Sequence, residues 1–219
     1  MAPPQLLNDD GSASMATMFM LSHHAFRRDL VSFARALAND ARPDEVLQGE
    51  WKSFHEHLHG HHHIEDTAMF PSMRQQHPDL DACIDGLSAD HRKLDPLLEK
   101  GDAAFAQLPD TSAALAVVRE LQTLLEPHLA TEEASLIPLI RAAKAFPTPG
   151  TDAEAELYAE GFAWSAHGIA PDILEKVFAL LHEILTSRLP AARAAYAARC
   201  DRVWGTTKAG AARTPIPDL

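Results

Sequence analysis

Apolar residues recur along this chain in alternating steps of three and four, the spacing that gathers side chains on one face of an α-helix. One stripe runs Phe19, Phe26, Leu30, Phe33, Leu37, with His23 in its register. A second runs Leu47, Trp51, Phe54, Leu58, then His61, Glu65 and Met69. The third is Leu80, Ile84, Leu87, His91, Leu94, Leu98, ending near Phe105. The fourth is Val118, Leu121, Leu125, His128, Glu132, Leu136. The separators ARPD, QHPD and LPDT place proline beside capping residues, which stops one helix and starts the next. The pattern predicts an all-α protein, an up-down four-helix bundle over residues 18–145.

After KAFPTPGTD the periodicity is weaker. Residues 150–205 read as a C-terminal helical extension of two or three shorter helices, broken around HGIAP and RLP, that packs on the bundle. Residues 1–17 read as a disordered leader and 206–219 as a flexible tail. Composition changes this picture little. Hydrophobic residues make up 46% and charged residues 23%, ordinary for a globular chain, and few aromatics favour helix over sheet. A net charge of -12 argues against nucleic acid, which needs clustered Lys and Arg. Cys83 and Cys200 match no metal or redox spacing. No apolar run reaches bilayer length and no signal-peptide pattern opens the chain, so the expected setting is cytoplasmic, without a membrane partner.

Four histidines and two glutamates interrupt stripes that should face a core. Buried carboxylates without partners are costly, so they neutralise, pair or bind metal. Their order is a duplication. His61-x3-Glu65 is followed by Pro71 and His128-x3-Glu132 by Pro138, both H-x3-E-x5-P. His23 lies 38 residues before His61, and His91 lies 37 before His128. The register also selects His23 over His24. His23 has Phe26 and Leu30 at plus three and plus seven, as His91 has Leu94 and Leu98.

Residues i and i+4 project side by side, so each HxxxE pair can reach one metal centre. Two pairs and two further histidines give six donors: His23, His61, Glu65, His91, His128 and Glu132. Mixed imidazole and carboxylate donors suit iron. Two glutamates allow both carboxylates to bridge two ions, each capped by two histidines. Six donors are too many for tetrahedral zinc and too few to saturate two six-coordinate irons, which leaves room for an oxo or hydroxo bridge and a small ligand.

Competing readings of the histidine-rich stretch HEHLHGHHHIED, 55–66, are weaker. HEHLH is literally HExxH, the zinc-hydrolase helix, but His55 and His59 lie off the apolar stripe and the duplication is left unexplained. Glu56-x2-His59 matches the ferritin-type ExxH, which needs a second copy that the stripes lack. His57, His62 and Glu133 are candidates for additional ligands. Asp66, Asp90 and Glu133 otherwise read as helix-surface charges, and Tyr158, Trp164, His167 and His182 as packing or surface residues of the extension.

With SHHAFRRDL at 22–30, HGHHHIEDTAMFP at 59–71, DHRKLD at 90–95 and EPHLATEEASLIP at 126–138, the chain resembles the hemerythrin-like (HHE cation-binding) family. The resemblance covers roughly residues 18–145. It implies a four-helix bundle holding a non-haem di-iron centre, with ligands on the six positions above. Oxygen-carrying members have HxxxH on the third helix, where this chain has His91-x3-Asp95, and end with His and Asp five apart, where it has HxxxE. That departure argues against simple oxygen carriage and toward the iron-sensing, nitric-oxide-repair and peroxide-handling branches. The expected partner is a small gas or peroxide. Two function classes stand: binding or sensing of dioxygen, nitric oxide or iron, and a di-iron oxidoreductase of catalase or peroxidase type. Redox chemistry of peroxide or oxygen is slightly favoured.

Overall fold

A computed structural model describes residues 6–39, 44–143, 146 and 148–205. The chain is all-α, as the periodicity predicts, and the described residues contain no strand. Helices α1 (Met15–Ala38), α2 (Asp44–Ile64), α3 (Phe70–Gln76), α4 (Asp81–Phe105) and α5 (Ser112–Ser135) cover the four stripes. They are followed by α6 (Ile137–Ile140), α7 (Asp152–Ser165), α8 (Pro171–Phe178), α9 (Glu183–Thr186) and α10 (Leu189–Trp204). Among the described residues no helix is long and apolar enough to cross a membrane.

The chain divides into two compact units, 29–135 and a second made of 1–28 with 136–219, and α1 runs through the boundary. The division does not follow the 18–145 bundle limits expected from sequence.

In the 29–135 unit, α4 runs antiparallel to both α2 and α5. Trp51 near the start of α2 stacks on Phe105 at the end of α4, with centroids 4.5 Å apart. The far end of α2 meets the middle of α4, where His62 bonds Asp95 at 2.8 Å. Lys100 of α4 pairs with Glu120 of α5 at 2.9 Å. Phe33, Trp51, Phe54 and Phe105 fill one end of this core with edge-on and stacked rings, each about as favourable as an aliphatic contact of equal area plus a small geometric bonus. Gly101 is what lets α4 approach Trp51: a Cβ there would lie 1.9 Å from the indole Cζ2.

A π-helical turn, Glu65–Met69, joins α2 to α3, and Phe70 N–H donates to Glu65 O, five residues back. Pro71 has no N–H and would crowd the carbonyl four residues earlier, so widening the helix here relieves the strain. The second copy of the motif breaks instead: α5 stops at Ser135 and Pro138 sits in the first turn of α6.

In the other unit, the chain from Leu6 is fixed before α1 begins, where the sequence suggests a leader to residue 17. Leu6 and Ala13 are buried, Met15 N–H donates to Ala143 O at 2.8 Å, and Arg141 reaches Leu7 O. The extension packs on the N-terminal half of α1. Trp164 lies against Phe26 with centroids 5.2 Å apart, and Arg28 donates to the carbonyls of Trp164 and His167. Thr151 and Glu154 form a capping box that starts α7. The breaks fall at HGIAP and RLP, where Gly168 takes φ +86° and Pro171 and Pro190 open the next helices. The last 14 residues, read as a flexible tail, lie outside the described residues.

Candidate metal centre

The interrupting polar residues of α2, α4 and α5 come together at one buried place in the 29–135 unit. Donor atoms of Glu65, His91, His128 and Glu132 all lie within 4.8 Å of one another, and all four residues are buried. The same holds for the nitrogens of His62, His91 and His128. Leu58, Leu94 and Leu129 are buried on the same helices, and the Phe70 ring stacks on His91 with centroids 5.5 Å apart.

Glu65 sits at the widened turn and is fully buried. Its Oε1 lies 2.9 Å from His61 Nε2 and its Oε2 lies 3.3 Å from His91 Nε2. One carboxylate therefore addresses histidines of two different helices with its two oxygens. Glu132 Oε2 lies 3.7 Å from His128 Nε2, one turn back on α5. Both HxxxE pairs thus place their donors side by side, as i, i+4 geometry requires.

The outer edges of these rings face carboxylates. A carboxylate only accepts, so a ring N–H that meets one donates to it, and in the neutral ring the opposite nitrogen carries the lone pair. His91 Nδ1–H donates to Asp66 Oδ2 at 2.9 Å, and His62 Nδ1–H to Asp95 Oδ1 at 2.8 Å. His128 Nδ1 is 4.0 Å from Asp90 Oδ2, at the limit of an ion pair. Burial pushes the His91 ring down, but the Glu65 and Asp66 carboxylates outweigh it and raise it from 6.5 to about 9. Burial lowers the His62 ring below 6.5 despite its bond to Asp95. Burial alone would raise the Asp95 carboxyl, yet the bond from His62 holds it below its ordinary value. The pair is best described as a neutral imidazole donating to a carboxylate, since a charged ring so deeply buried beside His61 and His91 would lack compensation.

These observations revise the reading of Asp66 as a surface charge. Its carboxylate is half-exposed, but it orients a buried imidazole. Asp90, 4.0 Å from His128 Nδ1, stands beyond hydrogen-bond reach of that ring. Glu133, also read as a surface charge, is buried on α5 beside Glu132. His23 is fully buried on α1, in edge contact with Phe19 at 5.1 Å, and His24 is buried as well. His24 Nε2 faces His167 O at 3.3 Å, and burial together with Arg28 lowers it to about 4. His57 turns Nδ1 along its own helix to Ser53 O at 2.7 Å. The HExxH residues lie on the outer face: His55 bonds Asp102 at 3.0 Å, His59 is 59% exposed and Glu56 is exposed. In the extension, His167 stacks edge-on against Tyr196.

Do the residues fit a metal? His62 Nε2 is buried with no hydrogen-bond partner, and nitrogen and carboxylate donors converge within reach of a shared ion. That donor set matches transition-metal chemistry. A helical bundle with a buried His and Glu cluster defines a cation-binding helical protein. The family model for the hemerythrin HHE cation binding domain matches residues 14–144, more than half of the chain, and the chain belongs to that family. No curated protein matches significantly. No solved structure does either.

Proposed function

We propose that the chain is a non-haem di-iron protein that reacts with or senses a small ligand: dioxygen, peroxide or nitric oxide. Its ligands are His61, Glu65, His91, His128 and Glu132, with His23 entering on the duplicated sequence register. The observation that carries this reading is Glu65, whose two oxygens face His61 and His91 separately at 2.9 and 3.3 Å. A carboxylate held that way suits a bridge between two ions better than a ligand to one. Mixed nitrogen and oxygen donors favour iron over zinc or magnesium.

Two bound irons supply Lewis-acid and redox chemistry and open positions for a small molecule. The protein supplies the rest. Asp66 holds His91 in the tautomer whose Nε2 lone pair faces inward. Loading iron requires the proton on His91 to leave, because an imidazolium cannot donate a lone pair. Burial of Glu65, His91, His128 and Glu132 strengthens every charge interaction among them. Turnover of peroxide or oxygen is the preferred activity, in a cytoplasmic setting.

Metal analysis of the purified chain tests the first part: close to two irons per chain is expected, and one zinc without iron overturns it. Mixing the reduced protein with oxygen and then peroxide tests the second. Repeated oxygen evolution from peroxide supports the enzyme, whereas a stable, reversible oxygen adduct supports a carrier.

A further inference from the structure

We propose that the outer face of α2 carries a second cation site, in which His55 and His59 chelate a divalent ion of the zinc, copper or nickel type through their Nε2 atoms. The site stands apart from the buried centre and does not depend on what that centre holds.

His55 and His59 are four residues apart, the helical spacing that sets two side chains next to each other. Their rings are neighbours, with centroids 6.3 Å apart and planes at 81°. His63 continues the row one turn further on and is exposed. What singles out the first two is the pair of carboxylates that α4 places behind them, Asp102 and Asp95, seven residues apart and so on one face of that helix.

His55 is the fixed half. Its Nδ1–H donates to Asp102 Oδ1 at 3.0 Å, and the same oxygen accepts Nε1–H of the buried Trp51 at 2.8 Å. An acceptor anchored by the core thus sets the tautomer of a surface ring, with the proton on Nδ1 and the lone pair on Nε2. The ring turns its Nδ1 edge to the protein and is 24% exposed, which leaves Nε2 on the solvent side.

His59 is the adjustable half. Its Nδ1 faces Asp95 Oδ2 at 3.7 Å, too far for a hydrogen bond, and its side chain is 59% exposed. Rotation between staggered χ angles in water costs little, and it brings Nε2 beside that of His55. On one tetrahedral ion with metal–nitrogen bonds of about 2.1 Å, the two nitrogens stand about 3.4 Å apart.

Folding does not call for this arrangement, since both rings lie off the apolar stripe. A carboxylate on one ring nitrogen with the other nitrogen open is how proteins present a histidine to metal. Glu56 and Lys52 line the groove beside His55 and offset each other in charge, so Asp95 and Asp102 leave the pair in negative surroundings. Imidazole donors select zinc, copper or nickel over magnesium or calcium. Among the described residues no third side-chain donor joins the pair within chelating distance, so water completes the coordination. The HExxH spelling here marks an open two-histidine chelate, without the third protein donor of a zinc hydrolase.

The test titrates the full chain, labelled with ¹⁵N-histidine, with zinc in the presence of excess magnesium. Long-range proton–nitrogen correlations report each ring nitrogen. The expected result is that zinc shifts Nε2 of His55 and of His59 together, while Nδ1 of His55 keeps its proton. His55→Ala and His59→Ala should each weaken this binding by roughly tenfold or more, at least what removal of an outer partner brings. His63→Ala and Glu132→Ala should leave it unchanged. The proposal fails if neither His55 nor His59 responds, or if His59 and His63 respond without His55. It also fails if magnesium suppresses the shifts, which would assign the ion to carboxylates, or if Glu132→Ala abolishes them, which would assign it to the buried centre.

Discussion

Replacing Gly101 by alanine should unlock the aromatic end of the bundle and, through it, the metal end. The added methyl would stand 1.9 Å from Trp51 Cζ2 and 2.6 Å from Cε2 and Cη2. Carbon atoms prefer roughly 3.5–4.0 Å, so something must move by about 1.5–2 Å. The indole has nowhere to go. It is stacked on Phe105 at 4.5 Å, tilted against Phe54 at 5.6 Å, and its Nε1–H donates to Asp102 at 2.8 Å. Overpacking of this kind costs about 1–3 kcal/mol, and losing the indole hydrogen bond adds about 1 kcal/mol. Alanine returns about 1 kcal/mol of helix propensity. The net expectation is destabilisation by about 1–3 kcal/mol, read as a lower urea midpoint of the metal-free chain at unchanged slope. Gly86→Ala provides the control on the same helix: its Cβ would meet nothing within 4 Å, so up to about 1 kcal/mol of stabilisation is expected. If both variants gain stability, the close approach of α4 to Trp51 is not what the geometry says. Because α2 leads directly into Glu65 and α4 carries His91, the same displacement should weaken iron binding in Gly101→Ala and leave Gly86→Ala unaffected.

The metal-free chain should be most stable near pH 6.5. His24, lowered to about 4 in the fold, contributes stability that is present above 6.5 and lost as pH falls toward 4, about 3 kcal/mol in full. His91, raised to about 9, contributes stability that is present below 6.5 and lost as pH rises through 9. Urea midpoints that climb steadily from pH 5 to 9 would contradict the His91 part, and midpoints that fall steadily over that range would contradict the His24 part. Glu65→Ala and Glu132→Ala should each lose iron by metal analysis, whereas His55→Ala, on the exposed face, should keep it. Equal loss in His55→Ala would mean the register of α2 has been misread. Asp66→Asn should weaken iron binding by about tenfold, because His91 loses the acceptor that fixes its tautomer, and titration against a competing chelator measures it.

The helices were legible because each one buries a single stripe. Val118, Leu121, Leu125, His128, Glu132 and Leu136 are all buried, in the register that their spacing predicts. The duplicated HxxxE pointed to His61, Glu65, His128 and Glu132 without any structure. It left His57, His62 and Glu133 as equal candidates for additional ligands. From Leu58, both plus three and plus four fall on the buried face, and His62 is buried there. The orienting carboxylates were harder to see. Asp66, Asp90 and Asp95 are partly exposed, and an exposed aspartate on a helix is usually a solvated charge. Only a cross-helix contact such as Asp95 to His62, 33 positions apart in sequence, separates the two cases. The 3.6-residue period carries no information about which helix stands opposite.

The π-helical turn explains how one imidazole is held from both sides. Adjacent residues on a regular α-helix diverge by about 100° around the axis, so they rarely serve the same small ring. Yet Glu65 reaches His91 Nε2 at 3.3 Å while Asp66 reaches Nδ1 at 2.9 Å. Both residues belong to the π-helical turn, which also carries the chain into Phe70, whose ring lies parallel to His91 at 5.5 Å. A helix widened at this point gives neighbouring residues access to both edges and the face of one histidine. The backbone irregularity, forced locally by a proline, is thus placed where a regular helix would have left one of the two nitrogens without its carboxylate. The division of labour follows: the buried carboxylate is available to metal, and the exposed one sets the ring. Interchanging them would bury the orienting charge and turn the inward-facing carboxylate to water, so the order Glu65 then Asp66 follows which side of the turn faces the core.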